Sequence, residues 1–144
     1  MSKALLDTDM LSEILKGRNE VVLARERTYL AESGTYALSM ISVVEIVKGL
    51  QKLGREHRIQ TVMSEFNSAD IRTLDLRSSE LAGRIYGDLE RTGQTIGLAD
   101  PMIAAIAIRD GLTLVTGNVP HYQRIQGMGY PLRLDNWRNP VPLS

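Results

Sequence analysis

Three carboxylates, Asp7, Glu45 and Asp100, stand where the chain could bring them together, with Asn118 beside them. Asp7 ends the short apolar run at residues 4–6, and Glu45 opens the helical pattern after a second such run. Asp100 opens the helical stretch that feeds LTLVT (112–116), and Asn118 lies just past that strand. Carboxylates crowded into one place repel one another, and at least one pKa rises unless something neutralises the group. A hard divalent cation, Mg2+ or Mn2+, removes the conflict using oxygen ligands and water. Asp7, Glu45 and Asp100 are the candidate ligands. Such a cation can hold a phosphate oxygen and activate a water for in-line attack, which is nuclease chemistry. Zinc would call for cysteine or more histidine, whereas the chain has no Cys and only His57 and His121.

Each residue also has a plainer role open to it. Asp100-Pro101 reads as an acidic helix N-cap followed by proline at the first helical position. Ser42-Val43-Val44-Glu45 matches a capping box, in which the glutamate reaches back to the cap residue. Asp7 or Asp9 can cap the first helix. Capping and catalysis therefore both remain open for each residue taken singly.

The elements that must position these residues alternate between short apolar runs and longer helical patterns, which predicts an α/β fold around a small, mostly parallel sheet. Strands are expected at residues 4–6, 35–41, 71–76 and 112–116, with a short edge strand at 131–134. Helices are expected at 10–16, 21–32, 43–53, 56–66, 79–91 and 101–109. Gly54 should split a helical hairpin and Gly111 should stop a helix. In a parallel sheet, residues beyond the carboxyl ends of strands share one rim, so Asp7, Glu45 and Asn118 are expected together. Right-handed connection puts the start of the helix before the fourth strand on the same rim, adding Asp100.

A length of 144 residues with 43% apolar content fits one domain over residues 1–144. Only the tail at 139–144, with two prolines, reads as loosely held. Lys+Arg and Asp+Glu each number 17, so any polyanion must be held by a local patch rather than by overall charge. Lys16, Arg18, Lys48, Lys52 and Arg55, near helix ends and the Gly54 turn, are the candidates. Tyr86 and Tyr122 could stack on bases, although such tyrosines more often anchor packing. The opening MSKALLDTDM has no long apolar run, and with no cysteine the expectation is a cytoplasmic protein. No Gly-x-Ser-x-Gly elbow supports a serine hydrolase.

Several segments resemble the PIN domain of VapC-type toxins: LLDTDML (5–11), SVVEIVKGL (42–50), GLADPMIAAIAIRDGLTLVTGN (97–118) and RLDNW (133–137). The resemblance runs over nearly the whole chain and implies a three-layer α/β/α fold. It also implies a Mg2+- or Mn2+-dependent endoribonuclease, an RNA substrate, a homodimer and a cognate VapB-like antitoxin. Two departures stand out: Asp9 occupies a position that is commonly Asn in the family, and the acid often found after the fourth strand is replaced by the stretch holding Asn118 and His121. The fourth site residue is thus Asn118, Asp9 or His121, and Thr116 is placed to hydrogen-bond a ligating carboxylate. Two other functions stay open. One is a haloacid-dehalogenase-like phosphatase with Asp7 as nucleophile and Asp9 as acid/base; the other is a catalytically silent PIN-like RNA-binding module.

Overall fold

The computed structural model describes residues 2–94 and 96–141. Five short strands form one sheet: β1 (Ala4–Leu6), β2 (Ala37–Ser39), β3 (Asp70–Arg72), β4 (Thr113–Val115) and β5 (Arg133–Asp135). Every pairing is parallel, in the order β3-β2-β1-β4-β5. The chain builds outward from β1 through β2 and β3, then crosses back to lay β4 and β5 on the other side. Such a reversal opens a crevice at the carboxyl ends of β1 and β4, where open α/β sheets place their sites.

The helices are α1 (Thr8–Lys16), α2 (Glu20–Ser33), α3 (Met40–Lys52), α4 (Glu56–Phe66), α5 (Leu76–Arg91), α6 (Ala99–Asp110) and α7 (Val119–Gly127). Successive strand side chains point to opposite faces, and this splits the interior into two cores. Leu5 packs with Ile85, Leu89, Ile103, Ile106, Tyr122 and Ile125 of α5 to α7. Ala4 and Leu6 pack with Met10, Leu11, Val22, Val62 and Phe66 of α1, α2 and α4. The result is the expected α/β/α sandwich. Helix α6 has no polar face through its middle, because residues 103–107 are all fully buried.

Several boundaries differ from those read in the sequence, and the differences bear on the carboxylates. The second strand ends early because the Ser39 hydroxyl accepts from the Ser42 N–H at 3.0 Å and starts α3 at Met40. Glu45 therefore lies in the second turn, and no Ser42–Glu45 capping box forms. Helix α6 has Leu98 at its cap position with no side-chain bond, so Asp100 sits inside the first turn instead of capping it. Asp7 does occupy the N-cap of α1, whereas Asp9 lies within that helix and bonds elsewhere. The third strand is replaced after Arg72 by a turn in which Asp75 accepts from Ser78 N–H at 2.8 Å and caps α5. Helix α7 was not anticipated. Gly54 and Gly111 end their helices with φ of 70° and 66°, as the sequence suggested. Of the tail, Asn139 is tied down through its carbonyl to Arg25 at 2.8 Å, while 142–144 lie outside the described residues, as do Met1 and Thr95.

The edge strand β3 is stitched to the sheet centre by charge. Lys3 donates to Asp70 Oδ2 at 2.5 Å, and Arg72 donates to both Asp70 oxygens at 2.9 and 3.0 Å. Hydrogen bonds from Arg72 first, and then from Lys3, lower the Asp70 pKa from 3.8 to about 2. A carboxylate with a depressed folded pKa adds stability above its unfolded pKa, and that stability is lost as pH falls through the folded value. Because the pair is partly solvated, Asp70→Asn should cost only roughly 0.5–1 kcal/mol at neutral pH. In denaturant titrations the deficit should fade between pH 4 and pH 2; a deficit constant over that range would discount the ion pairs.

Candidate active site

At the crevice between β1 and β4, Asp7 is only 6% exposed. Its Oδ1 accepts from the Thr8 N–H at 2.9 Å, and its Oδ2 accepts from the Thr116 hydroxyl at 2.8 Å. Thr116 in turn accepts from Asn118 N–H at 2.9 Å, so the end of β4 is folded around this carboxylate. Burial is the largest cause that raises the Asp7 pKa from 3.8 to about 7, with repulsion from Asp9 next; the bonds from Thr116 and Thr8 oppose them. At neutral pH this group is poised to be neutralised by a proton or a cation.

Glu45 reaches the same crevice from α3, held by a chain of hydroxyls. Thr8 Oγ1 donates to Glu45 Oε1 at 2.5 Å, Ser42 Oγ lies 2.9 Å from Thr8 Oγ1, and Ser39 Oγ donates to Ser42 Oγ at 3.2 Å. Thr8 has one proton, which goes to the carboxylate, so Ser42 must donate to Thr8 and the bonds all run toward Glu45. Chains of this kind polarise one another in a buried setting.

Asp100 arrives from the first turn of α6. Tyr122 donates to its Oδ1 at 3.2 Å, and His121 Nδ1 lies 3.5 Å from its Oδ2. Tyr122 is fully buried, and burial together with the charges of Asp7 and Asp100 pushes its phenol well above the ordinary value. It stays a donor, and it is not free to stack on a base. Asn118, at the start of α7, makes no cap; its side-chain nitrogen lies 2.9 Å from His121 Nδ1. The same ring nitrogen thus stands between the Asn118 amide and the Asp100 carboxylate.

Asp7, Thr8, Asp9, Glu45, Asp100 and Asn118 all line one groove of about 1070 Å³. Lys16, Arg18, Arg55 and Arg58 line the same groove, and Leu15, Ile46, Leu50, Leu53 and Val62 supply its apolar surface. Lys48 and Lys52 lie outside it. The sequence reading missed Thr8, Ser39, Ser42, Tyr122 and Arg58 as supporting residues. Arg58 is held by the carbonyl of Leu15 at 3.0 Å, a link between α4 and the end of α1 that no local pattern announces.

The donor set is all oxygen, which suits a hard divalent cation. Among the described residues no three Asp, Glu or His side chains form a cluster that could by itself hold a metal ion. Mg2+ does not need one, since it keeps several waters and takes one or two carboxylates plus substrate phosphate. A buried, repelled Asp7 fits this use.

Asp7→Asn isolates the repulsion. In chelator, the unfolded chain ionises Asp7 near pH 4 while the folded protein holds the proton until about pH 7, so ionisation lowers parent stability across that interval. Asn lacks this cost. The stability advantage of Asp7→Asn over the parent should therefore grow by on the order of 3 kcal/mol between pH 4 and pH 8. Paired urea melts check this, and an advantage that does not change with pH would contradict it.

Residues 4–123, which span Asp7, Glu45, Asp100 and Asn118, match the PIN domain family. The tRNA(fMet)-specific endonuclease VapC of Shigella flexneri is 31% identical over 138 residues, covering 95% of this chain and 99% of that protein. Ribonuclease VapC2 of Haemophilus influenzae is 32% identical over 139 residues, with the same coverage. In three dimensions, the DNA-bound VapBC of Salmonella typhimurium superposes with a TM-score of 0.78 at 28% identity, over 95% of this chain and 99% of that one. Neither the phosphatase nor the silent-module alternative is favoured by these likenesses. This chain belongs to the PIN-domain family, among the VapC ribonucleases.

Proposed function

We propose that this chain, as a single PIN-like unit in the cytoplasm, is the toxin of a toxin–antitoxin pair. It hydrolyses RNA phosphodiester bonds internally with Mg2+ or Mn2+. The observation that carries this reading is the meeting of Asp7, Glu45 and Asp100 in one groove whose other residues include Lys16, Arg18, Arg55 and Arg58. Asp7, Glu45 and Asp100 would hold the cation. When bound, it supplies charge stabilisation at the phosphate and a more acidic water. Thr116 fixes Asp7, the Ser39–Ser42–Thr8 chain fixes Glu45, and Tyr122 fixes Asp100, so each carboxylate keeps its direction without substrate. Asn118 acts through His121 as a positioning residue. The four basic residues bind RNA phosphates, a contact that weakens with salt.

The solved relatives include toxin–antitoxin complexes such as the Salmonella typhimurium VapBC. A VapB-like antitoxin suits the same groove: an Arg or Lys side chain against the carboxylates, and an apolar helix over Leu15, Ile46, Leu50 and Leu53. A homodimer is the other expected assembly. Met40, Val44, Leu76 and Leu98 are 50–86% exposed, a heavy apolar load for a lone chain surface. Light scattering of the antitoxin-free protein at micromolar concentration should give the mass of two chains, and the mass of one would count against this.

For activity, the purified antitoxin-free protein should cut total RNA only with Mg2+ or Mn2+, leaving 5′-phosphate and 3′-hydroxyl ends. Asp7→Asn, Glu45→Gln and Asp100→Asn should each slow cleavage on the order of a hundredfold or more while folding normally in chelator. Asp100→Asn is the cleanest of the three, because Asp100 caps nothing and Asn still accepts from Tyr122. Products with 2′,3′-cyclic phosphate that form in chelator, or full activity in these variants, would sink the mechanism.

A further inference from the structure

The segment after β4 reads Thr116-Gly117-Asn118-Val119 and brings no carboxylate to the groove. Asp9 reaches that segment from the opposite direction. Its Oδ2 accepts from the Gly117 N–H at 3.0 Å, so a carboxylate borne on α1 is fastened to the backbone that follows β4. Its Oδ1 is the one buried side-chain nitrogen or oxygen without a partner among the described residues. Leaving such an atom unsatisfied is costly, more so for a charged group. Asp9 lines the same groove as Asp7, Glu45 and Asp100.

Arg138 closes the other side. Its Nη1 lies 3.7 Å from Asp9 Oδ2 and its Nε 3.3 Å from Glu13 Oε2. Gly117 makes this approach feasible. A Cβ there would stand 1.7 Å from Arg138 Nη1 and 2.7 Å from Asp9 Oδ2, and the Gly117 φ is not positive. The glycine leaves room for this contact, and any side chain there would push the Arg138 guanidinium aside. Oδ2 is thus occupied by the Gly117 amide and faced by the Arg138 guanidinium, while Oδ1 is left short of a full hydrogen bond, with the Met10 N–H the other backbone donor acting on this carboxylate.

We propose that Asp9 supplies the fourth carboxylate toward the divalent cation of this groove, with Arg138 as its intrachain counter-charge. The proposal rests on the cation-dependent reading above. Asn118, whose amide nitrogen lies 2.9 Å from His121 Nδ1, brings no negative charge to the groove. If Asp9 were only a brace for the Gly117 turn, Asn would serve as well, since its side-chain oxygen can accept the same N–H.

Mn2+ affinity of the antitoxin-free full chain, read from the free-ion electron spin resonance signal without any substrate, separates these roles. Melting in chelator serves as the fold control. Asp9→Asn should weaken Mn2+ binding roughly tenfold or more while melting in chelator as the parent does. Arg138→Ala, which removes a positive charge near the ligands, should tighten binding about threefold, and that gain should vanish when Asp9→Asn is also present. Asp7→Asn is the reference for the site as a whole and should weaken binding at least as much as Asp9→Asn. Loss of binding in Asp7→Asn with Asp9→Asn within twofold of the parent would overturn the role of Asp9 and leave the cation reading standing. A parent that binds no Mn2+ would overturn both, and an equal gain from Arg138→Ala in either background would overturn the counter-charge.

Discussion

The burial of Asp7 at the carboxyl end of the central strand is the constraint on which the remaining arrangement depends. Beside it lie Asp9 and Asp100, both of which disfavour its charge, and only two hydrogen bonds oppose them. A fold seeking stability alone would place an apolar side chain there, since an ionised carboxyl shielded from water is costly unless it is paired. Here the surroundings do the reverse and fix it. The Thr8 N–H holds one oxygen, Thr116 holds the other, and Thr116 is itself held by Asn118 N–H. The strain is electrostatic and the geometry is rigid, which is the combination that preorganises a charged site.

The other two carboxylates follow the same plan with different means. Glu45 is reached through three hydroxyls from β2, α3 and α1, so its position depends on the packing of α1 against α3. Asp100 depends on the phenol of Tyr122, delivered by α7 from the opposite core. The site thus draws on both cores at once, and a loss of packing on either face would loosen one of its carboxylates. The sheet order explains why this works: β1 and β4 are neighbours at the point where the chain changes direction, and helices of both layers start around that point.

What the sequence displayed was the part governed by local pattern. The run at Ala4–Leu6 and the helix Glu56–Phe66 are bounded as read, because an apolar triplet before Asp and a helix between Gly54 and Asn67 leave little choice. The start of α3 was misread by three residues, since Ser39 and Ser42 are equally good caps in isolation and only the tertiary fold selects Ser39. Helix α7 escaped because it shows the core just Tyr122 and Ile125 and starts around a proline. The gathering of Asp7, Glu45 and Asp100 on one rim could be read from topology. Their hydroxyl and phenol supports could not, because Thr8 and Glu45 are 37 positions apart, and Tyr122 and Asp100 are 22 apart.

The corrected helix starts change the meaning of the carboxylates themselves. Read locally, Asp100 and Glu45 had a sufficient reason to exist as caps, and selection for a helix terminus would have explained them without any chemistry. The structure gives that task to other groups: Ser39 caps α3, and α6 begins without a side-chain cap. Asp100 still gains from the partial positive charge at the start of α6, an effect worth roughly 0.3–1 kcal/mol. Glu45, a full turn further in, is beyond most of that field. What remains to account for two partly buried acids beside a buried third is an outside charge to hold. The chain is neutral overall, with 17 residues of each sign, yet this one groove is lined both by Asp7, Asp9, Glu45 and Asp100 and by Lys16, Arg18, Arg55 and Arg58. A cation at the acids and a polyanion along the basic side chains, as proposed, would satisfy both sets together, whereas either one alone would leave the other set uncompensated.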